Sequence, residues 1–299
     1  MSVLVFGGNG QVGQELLRAL AAHGPVIATT RSGQLPDGRE CEQADFDQPQ
    51  TLVALLDRLR PRWVVNAAAY TAVDRAEQER EAAFRANAES PGVIAQWCAA
   101  HGVPMVHYST DYVFDGQGTR PYRVDAPTDP LGVYGESKLA GEEAIRAAGG
   151  RHLIFRTAWV YASHGSNFLR TMLRVGAERD ELRVVADQHG TPTPAALIAD
   201  ITGVAISGDD GQRSGTWHLT AAGGTSWYGF AEEIFRQALE QGVLAKAPRV
   251  TAITTAEYPT PARRPAYSQL DTGTLVRDFG VTLPDWREGV ARVLRELSA

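Results

Sequence analysis

Lysine is almost absent from this chain. Of 29 basic residues in 299 positions, only Lys138 and Lys246 are lysines, and the rest are arginine. Cysteine is as scarce: Cys41 and Cys98 stand far apart and form no CxxC pair. Two thiols in a chain of this length exclude a disulfide scaffold and point to a reducing compartment. No apolar run reaches the ~20 residues that cross a bilayer. The start, Met1-Ser2-Val3-Leu4-Val5-Phe6, carries no charged leader before its glycines. A soluble, cytoplasmic protein with no membrane partner is therefore expected. The seven histidines make no HExxH or related spacing, so the usual sequence signal for a catalytic metal is missing. A net charge of −6 argues against a broad nucleic-acid surface, and no nucleic-acid partner is expected.

What is present is a large globular chain. Hydrophobic residues make up 43% and charged residues 21%, enough for a sizeable core in one large or two unequal domains. Short apolar runs at 2–6, 26–30, 63–66, 104–109 and 152–157 predict strands. Between them, helical spacing predicts helices at 11–22, 49–59, 74–87, 90–101 and 137–148, with Pro49 in a first turn. Such alternation predicts an α/β, Rossmann-type doubly wound parallel sheet over residues 1–160. Residues 161–299 read differently. Turn-rich segments separate helices near 167–178, 195–207, 226–242 and 286–297, which predicts a smaller C-terminal α+β lobe, part of which can return to the first domain. Ligands of such sheets bind beyond the carboxyl ends of the strands, where that lobe can close over them.

Gly7-Gly8-Asn9-Gly10-Gln11-Val12-Gly13 directly follows the first predicted strand and opens the first helix. The spacing of Gly7, Gly10 and Gly13 lets the backbone turn tightly against a pyrophosphate at a helix N-terminus, with Gln11 and Val12 beside it. The second strand of such folds usually ends in an acid that holds a ribose 2′-hydroxyl. Thr30-Arg31-Ser32 stand there instead, a cation and hydroxyls that suit a 2′-phosphate. NADPH is therefore expected over NADH, with NADH still admitted and an Arg31 in open solvent as the alternative. Asp45-Phe46 suit the flank of an adenine, or equally a turn aspartate beside a core phenylalanine. Ala67-Ala68-Ala69 allow close approach of a cofactor, or simply close packing.

Tyr134 and Lys138, in Tyr134-Gly135-Glu136-Ser137-Lys138, lie at i and i+4, a spacing that shares one helix face. An ammonium beside a phenol is expected to lower the cost of phenolate. A surface tyrosine beside a solvated lysine is the plain alternative. Upstream, Tyr108-Ser109-Thr110-Asp111-Tyr112 follows a predicted strand, so the Thr110 hydroxyl and the Tyr134 phenol could supply a carbonyl with two hydrogen-bond donors.

With the glycine loop, these segments resemble the extended short-chain dehydrogenase/reductase superfamily. Longer strings are similar to its dTDP-4-dehydrorhamnose reductase family: Ala69-Tyr70-Thr71-Ala72-Val73-Asp74, Ser109-Thr110-Asp111-Tyr112-Val113-Phe114-Asp115-Gly116, Arg156-Thr157-Ala158-Trp159-Val160-Tyr161, Asp187-Gln188-His189-Gly190-Thr191-Pro192-Thr193 and Arg264-Pro265-Ala266-Tyr267-Ser268. The resemblance spans nearly the whole chain. It implies NAD(P)H-dependent reduction of the C4 ketone of a dTDP-sugar, dTDP-4-dehydro-6-deoxy-L-mannose, to dTDP-L-rhamnose. Tyr134 would protonate the developing alkoxide, Lys138 would hold the nicotinamide ribose, and Thr110 would polarise the ketone. Tyr70, Thr71 and Tyr108 would extend the cofactor wall. Asp111, Tyr112 and Trp159 would line the sugar site, and Arg264 would meet nucleotide phosphate. Trp159 as a core residue and Arg264 as a solvated residue are the alternatives.

Some members of the family hold a metal between subunits through glutamates. Glu15 and Glu296 match two such positions, but Pro194-Ala195-Ala196-Leu197 carries alanine where a third would fall. No metal ligand is expected, Mg2+ and a homodimer are left open, and the two glutamates read as solvated helix carboxylates. Two other functions compete. Related sugar-nucleotide dehydratases and epimerases share the fold, but the dehydratases place a glutamate after Thr-Asp, where this chain has Tyr112. A non-catalytic regulatory subunit resembling the methionine adenosyltransferase beta subunit is the other, against which the intact Thr110, Tyr134 and Lys138 set argues.

Overall fold

Val3-Leu4-Val5-Phe6 is apolar throughout and buried throughout, as a parallel strand covered on both faces must be. It forms β1 (Val3–Phe6) at the middle of the sheet. A computed structural model of the chain describes residues 2–208 and 213–298. The chain runs on through α1 (Gln11–Leu20), β2 (Val26–Thr30), β3 (Glu42–Gln43), α2 (Pro49–Leu59), β4 (Trp63–Asn66), α3 (Val73–Ala76), α4 (Arg80–Phe84), α5 (Ser90–His101), β5 (Met105–Thr110), α6 (Val133–Ala147) and β6 (His152–Thr157). It continues as β7 (Val160–Tyr161), α7 (Phe168–Glu178), β8 (Glu181–Val185), β9 (His189–Gly190), β10 (Thr193–Pro194), α8 (Ala195–Ser207), β11 (Gly215–His218), β12 (Thr225–Ser226), α9 (Trp227–Glu240), β13 (Arg249–Ile253), α10 (Gly273–Phe279) and α11 (Trp286–Ser298).

The seven-stranded sheet has the order β11-β6-β5-β4-β1-β2-β3, and its pairs are parallel. This is the Rossmann-type arrangement the alternation predicts. Side chains leave β1 alternately. Leu4 and Phe6 pack with Leu52, Leu56, Ile94 and Trp97 on one face. Val3 and Val5 pack with Leu16, Leu20, Ile198 and Ile201 on the other. Ile198 and Ile201 come from beyond residue 160: α8 lies against α1 and β11 extends the sheet beside β6. Outside the sheet, β8 pairs with β13, and Leu182, Val184, Ala231 and Phe235 form a separate small core. No helix of the described residues is long and apolar enough to cross a membrane.

Two expected helices have other bounds, and three further elements were not expected. The helix expected at 137–148 starts at Val133, so Tyr134 lies in its first turn. Its cap is remote: Glu77 Oε1 accepts the Val133 N–H at 2.9 Å, and Gly132 enters in an extended conformation. The helix expected at 74–87 breaks into α3 and α4, then runs through a widened π turn, Arg85–Glu89, straight into α5. Pro91 has no N–H to give the Asn87 carbonyl one turn back. Gly141 of α6 takes the space beside that carbonyl, and a Cβ there would collide with it. The β8/β13 pair and α10 carry no predicted counterpart.

Candidate functional site

The glycine loop is built for close approach. Gly7 has φ +80, and a Cβ there would sit 2.6 Å from the Ala68 nitrogen; a Cβ on Gly13 would run into the Gly7 carbonyl. Gly10 then caps α1 with no side chain, and no acid occupies the first turn. Free N–H groups and a positive helix end are left facing outward, the arrangement that binds a pyrophosphate. A groove of ≈ 600 Å³ opens there, lined by Gly7, Gly10, Thr30, Arg31, Phe46, Ala67, Ala68, Ala69 and Tyr70, together with Asn9, Asp47, Arg75 and Glu79, which the sequence reading did not select. Gln11 is held from the far side, its Oε1 accepting from Asn167 Nδ2 at 2.8 Å, and Val12 packs on the core. Thr71 lies exposed beyond Tyr70.

Arg31 is not in open solvent alone. Its guanidinium meets Asp45 Oδ1 at 3.3 Å and Asp47 Oδ2 at 2.9 Å. The acid missing from the end of β2 is thus supplied by the loop between β3 and α2. Thr30 is buried and turned away: its hydroxyl bonds the Gln34 backbone, and Ser32 Oγ joins the same turn. Asp45 also accepts the Asp47 N–H at 3.0 Å, while Phe46 packs edge-on against Phe6 at 5.5 Å. Both are thereby placed as a turn acid and a core ring at the rim of the groove.

At the carboxyl end of β5, Thr110 Oγ1 accepts the Tyr112 N–H at 3.2 Å and donates to Asp111 Oδ1 at 3.0 Å. The hydroxyl expected to polarise a ketone is therefore engaged with its neighbour. Burial raises the Asp111 carboxyl to about 6, although the Ser268 and Thr110 hydroxyls and backbone N–H groups pull it down. Tyr134 meets Tyr112 edge-on, ring centroids 5.5 Å apart. Its phenol is pushed well above its ordinary value by burial, with Thr110 acting against this and Asp111 and Tyr112 adding to it.

That corrects the expected effect of the ammonium. Lys138 is 2% exposed and gives its Nζ to the Tyr108 carbonyl at 2.6 Å, with His107 Nε2 at 3.4 Å. Sharing a helix face does not bring the ammonium onto the phenol. Burial lowers Lys138 to about 8, with Glu142 one turn on acting in the opposite sense. Glu142 is itself fully buried, held by Arg156 Nε at 2.8 Å and Nη2 at 2.7 Å and by Arg146 at 3.1 Å. The Tyr108 side chain is corrected too: its hydroxyl bonds Thr202 at 2.7 Å inside the core, so only its carbonyl faces the Lys138 side. His107, Asn66, Glu142 and Arg156 went unselected in the sequence. Their one signal there was a polar side chain inside a strand or helix that must be buried.

On the sugar side, Arg264 pairs with Asp74 at 2.7 Å and reaches the Tyr112 hydroxyl at 3.4 Å, so it is not a solvated residue. Trp159 has φ +47, a left-handed conformation rare for a bulky residue. Its ring stacks on Trp227, 3.5 Å apart and 5° from parallel. One face of Trp159 is thereby covered by protein, and Gly190 packs so closely on the indole that a Cβ there would lie 2.5 Å from Cε2.

Glu15 is not a solvated carboxylate either. It is 9% exposed, with His164 Nε2 at 3.1 Å and Arg18 Nε at 2.9 Å. Arg292 takes Glu296 at 3.1 Å and shares Asp200 with Arg18. Basic side chains of this chain occupy the carboxylates. Among the described residues, no cluster of His, Cys, Asp and Glu is arranged to hold a metal.

Comparison with known proteins shows the family. The sequence pattern of the family described as RmlD substrate binding domain matches residues 1–299. The chain is 47% identical to a dTDP-4-dehydrorhamnose reductase of Burkholderia thailandensis, over 99% of each chain. Among solved structures, it is similar to a dTDP-4-dehydrorhamnose reductase from Clostridium acetobutylicum, with a TM-score of 0.90 and 35% identity over 100% of both chains. A dTDP-4-dehydrorhamnose reductase from Bacillus anthracis, solved in complex with NADP, gives 0.88 and 31% over 99% of both.

Proposed function

The chain belongs to the dTDP-4-dehydrorhamnose reductase family of oxidoreductases, and from that premise we propose that it reduces the C4 ketone of dTDP-4-dehydro-6-deoxy-L-mannose to dTDP-L-rhamnose with Tyr134 as proton donor. One observation carries the reading: Thr110, Tyr134 and Lys138 gather at the carboxyl end of β5, in the sheet whose glycine loop fits a nicotinamide dinucleotide. Bound NADPH supplies the hydride. The residues of this chain handle the proton and the position. Tyr134, held protonated by burial, gives its proton to the C4 oxygen. Thr110 turns its hydroxyl from Asp111 to the same oxygen, a change eased when Asp111, raised to about 6, is itself protonated. Lys138 holds the nicotinamide ribose. Asp111, Tyr112 and Trp159 contact the sugar, and Arg264, fixed by Asp74, stands ready for a nucleotide phosphate.

Arg31 selects NADPH over NADH by its charge. No metal takes part in this reading, and a homodimer would assemble without one. Two thiols and the absence of a membrane-crossing helix among the described residues suit work in the cytoplasm. The test is direct: purified protein, NADPH and the keto sugar nucleotide, followed at the nicotinamide absorbance. Stoichiometric loss of absorbance is expected. No loss with a rearranged sugar would replace reduction by epimerisation or dehydration; no loss with no sugar change, and a partner enzyme recovered in a pulldown, would point to the regulatory-subunit reading.

A further inference from the structure

Behind Lys138 lies a buried polar chain that the reduction itself does not require. Asn66 ends β4 and His107 sits beside it on β5; the two are register partners, 1% and 0% exposed. The Asn66 amide has one orientation that satisfies its surroundings. Its Oδ1 accepts the Ala68 N–H at 3.1 Å, which turns Nδ2 toward His107 Nδ1 at 3.0 Å. An amide NH2 only donates, so Nδ1 must be the accepting nitrogen. The imidazole is held neutral by burial and by the nearby Lys138 charge, and its single proton then sits on Nε2. That nitrogen lies 3.4 Å from Lys138 Nζ.

We propose that Asn66 and His107 are positioning residues that set the proton affinity of Lys138: the amide fixes the imidazole as its Nε2–H tautomer and turns that N–H onto the Lys138 nitrogen. An ammonium has three donors and no acceptor, so an N–H facing it is donor against donor. The neutral amine has a lone pair that accepts the same N–H. The relay therefore favours loss of a proton from Lys138 and opposes its return. Other groups around Nζ do not compensate. The Tyr108 carbonyl takes one N–H. Glu142 is the carboxylate that acts on Lys138, and it is bound by Arg156 and Arg146. Asp111 acts on Tyr134 rather than on Lys138. Ser137, on the same helix, is engaged with Asn87 and the Tyr134 carbonyl.

The scarcity of lysine makes the test unusually clean. With Lys138 and Lys246 the only lysines, protein grown on [ε-13C]lysine gives two Cε signals, one from the exposed Lys246 paired with Asp180. Wild type should show His107 as the Nε2–H tautomer in long-range 1H–15N spectra, assigned by its disappearance in His107→Gln, and a Lys138 midpoint well below the ordinary lysine range. In His107→Gln the amide can present Oε1, an acceptor, and the midpoint should rise by about one pH unit, tenfold in proton affinity. Asn66→Ala hydrogen-bonds nothing to Lys138, yet it frees His107 to move its proton to Nδ1 and offer a lone pair. It should raise the midpoint in the same sense, which a merely structural role would not do. An Nδ1–H tautomer in wild type, or a Lys138 midpoint in the ordinary lysine range, overturns the relay without any variant. Unchanged Lys138 midpoints in folded variants overturn it as well. The kinetic consequence rests on the proposed role of Lys138: the alkaline limb of kcat/KM should move with the NMR midpoint. A midpoint that moves while the limb does not would leave the relay standing and remove Lys138 from the reaction.

Discussion

Arg156→Met should be among the most damaging single changes outside the substrate groove. Arg156 is 4% exposed and grips both oxygens of Glu142, which is 0% exposed. Removing the guanidinium leaves a buried carboxylate with only Arg146, itself partly exposed. Breaking one side of a buried pair costs roughly 3–5 kcal/mol, which for a chain of this length lowers Tm by roughly 5–8 °C. Glu142→Met/Arg156→Met together should recover most of that loss, since an apolar pair of similar volume desolvates no charge. Urea unfolding followed by circular dichroism is the assay, read as a lower midpoint at unchanged slope. The pH dependence gives an independent check. Burial raises the Glu142 carboxyl, but Arg156, Ser109 and Arg146 overcome this and hold it below its ordinary value. A depressed folded value means a contribution fully present above the unfolded carboxyl pKa and lost as pH falls through the folded one. Wild type should therefore lose this increment of stability in acid and the double variant should not. A single variant costing under about 1 kcal/mol, or a double variant no better than the single, would refute the assignment of an ion pair whose halves depend on each other.

Three further outcomes are expected. Tyr134→Phe should lower kcat by roughly 10²–10⁴ while NADPH affinity stays within about twofold; a near-normal rate would remove the phenol from the mechanism. Arg31→Ala should raise KM for NADPH more than for NADH, and Asp47→Asn, which removes the carboxylate 2.9 Å from Arg31, should improve NADPH alone by about two- to five-fold, the range of exposed charge pairs. Equal effects on both cofactors would refute the 2′-phosphate assignment. Gly13→Ala pushes a methyl into the Gly7 carbonyl and should cost about 1–3 kcal/mol along with most cofactor affinity; calorimetric titration with NADPH measures the second effect.

The parts of the fold visible in the sequence are those whose causes are local. The buried run of β1, the glycines after it and the spacing of α1 need no knowledge of the rest of the chain. The start of α6 was invisible because its cap is Glu77, 56 residues away. The break between α4 and α5 was hidden in Pro91, whose missing N–H is harmless at a helix start but opens a π turn in a continuous helix. In β8, Glu181-Leu182-Arg183-Val184 alternates as a half-buried strand does, with leucine and valine buried and the charges exposed. Its partner β13 lies 68 residues on in register, so nothing nearby announced the pairing.

The site divides on the same line. That Thr110, Tyr134 and Lys138 come to one end of β5 was legible because they are tied by short spacings. The direction of the Lys138 tip was not, since i and i+4 place two side chains on one face without fixing where a long one ends. Here the end is set by β5: the Tyr108 carbonyl takes the nitrogen, and His107, placed by its parallel register with Asn66, stands beside it. Arg31 repeats the lesson at the other end of the groove, where Asp45 and Asp47 arrive from a loop to meet a residue whose own neighbours carry no acid. Register and loop closure are properties of the whole sheet. They place a neutral imidazole rather than a carboxylate against Lys138, while Glu142 is kept by two arginines. The one lysine the cofactor groove would use thus sits where its proton is loosely held, and that follows from the strands behind it rather than from the helix that carries it.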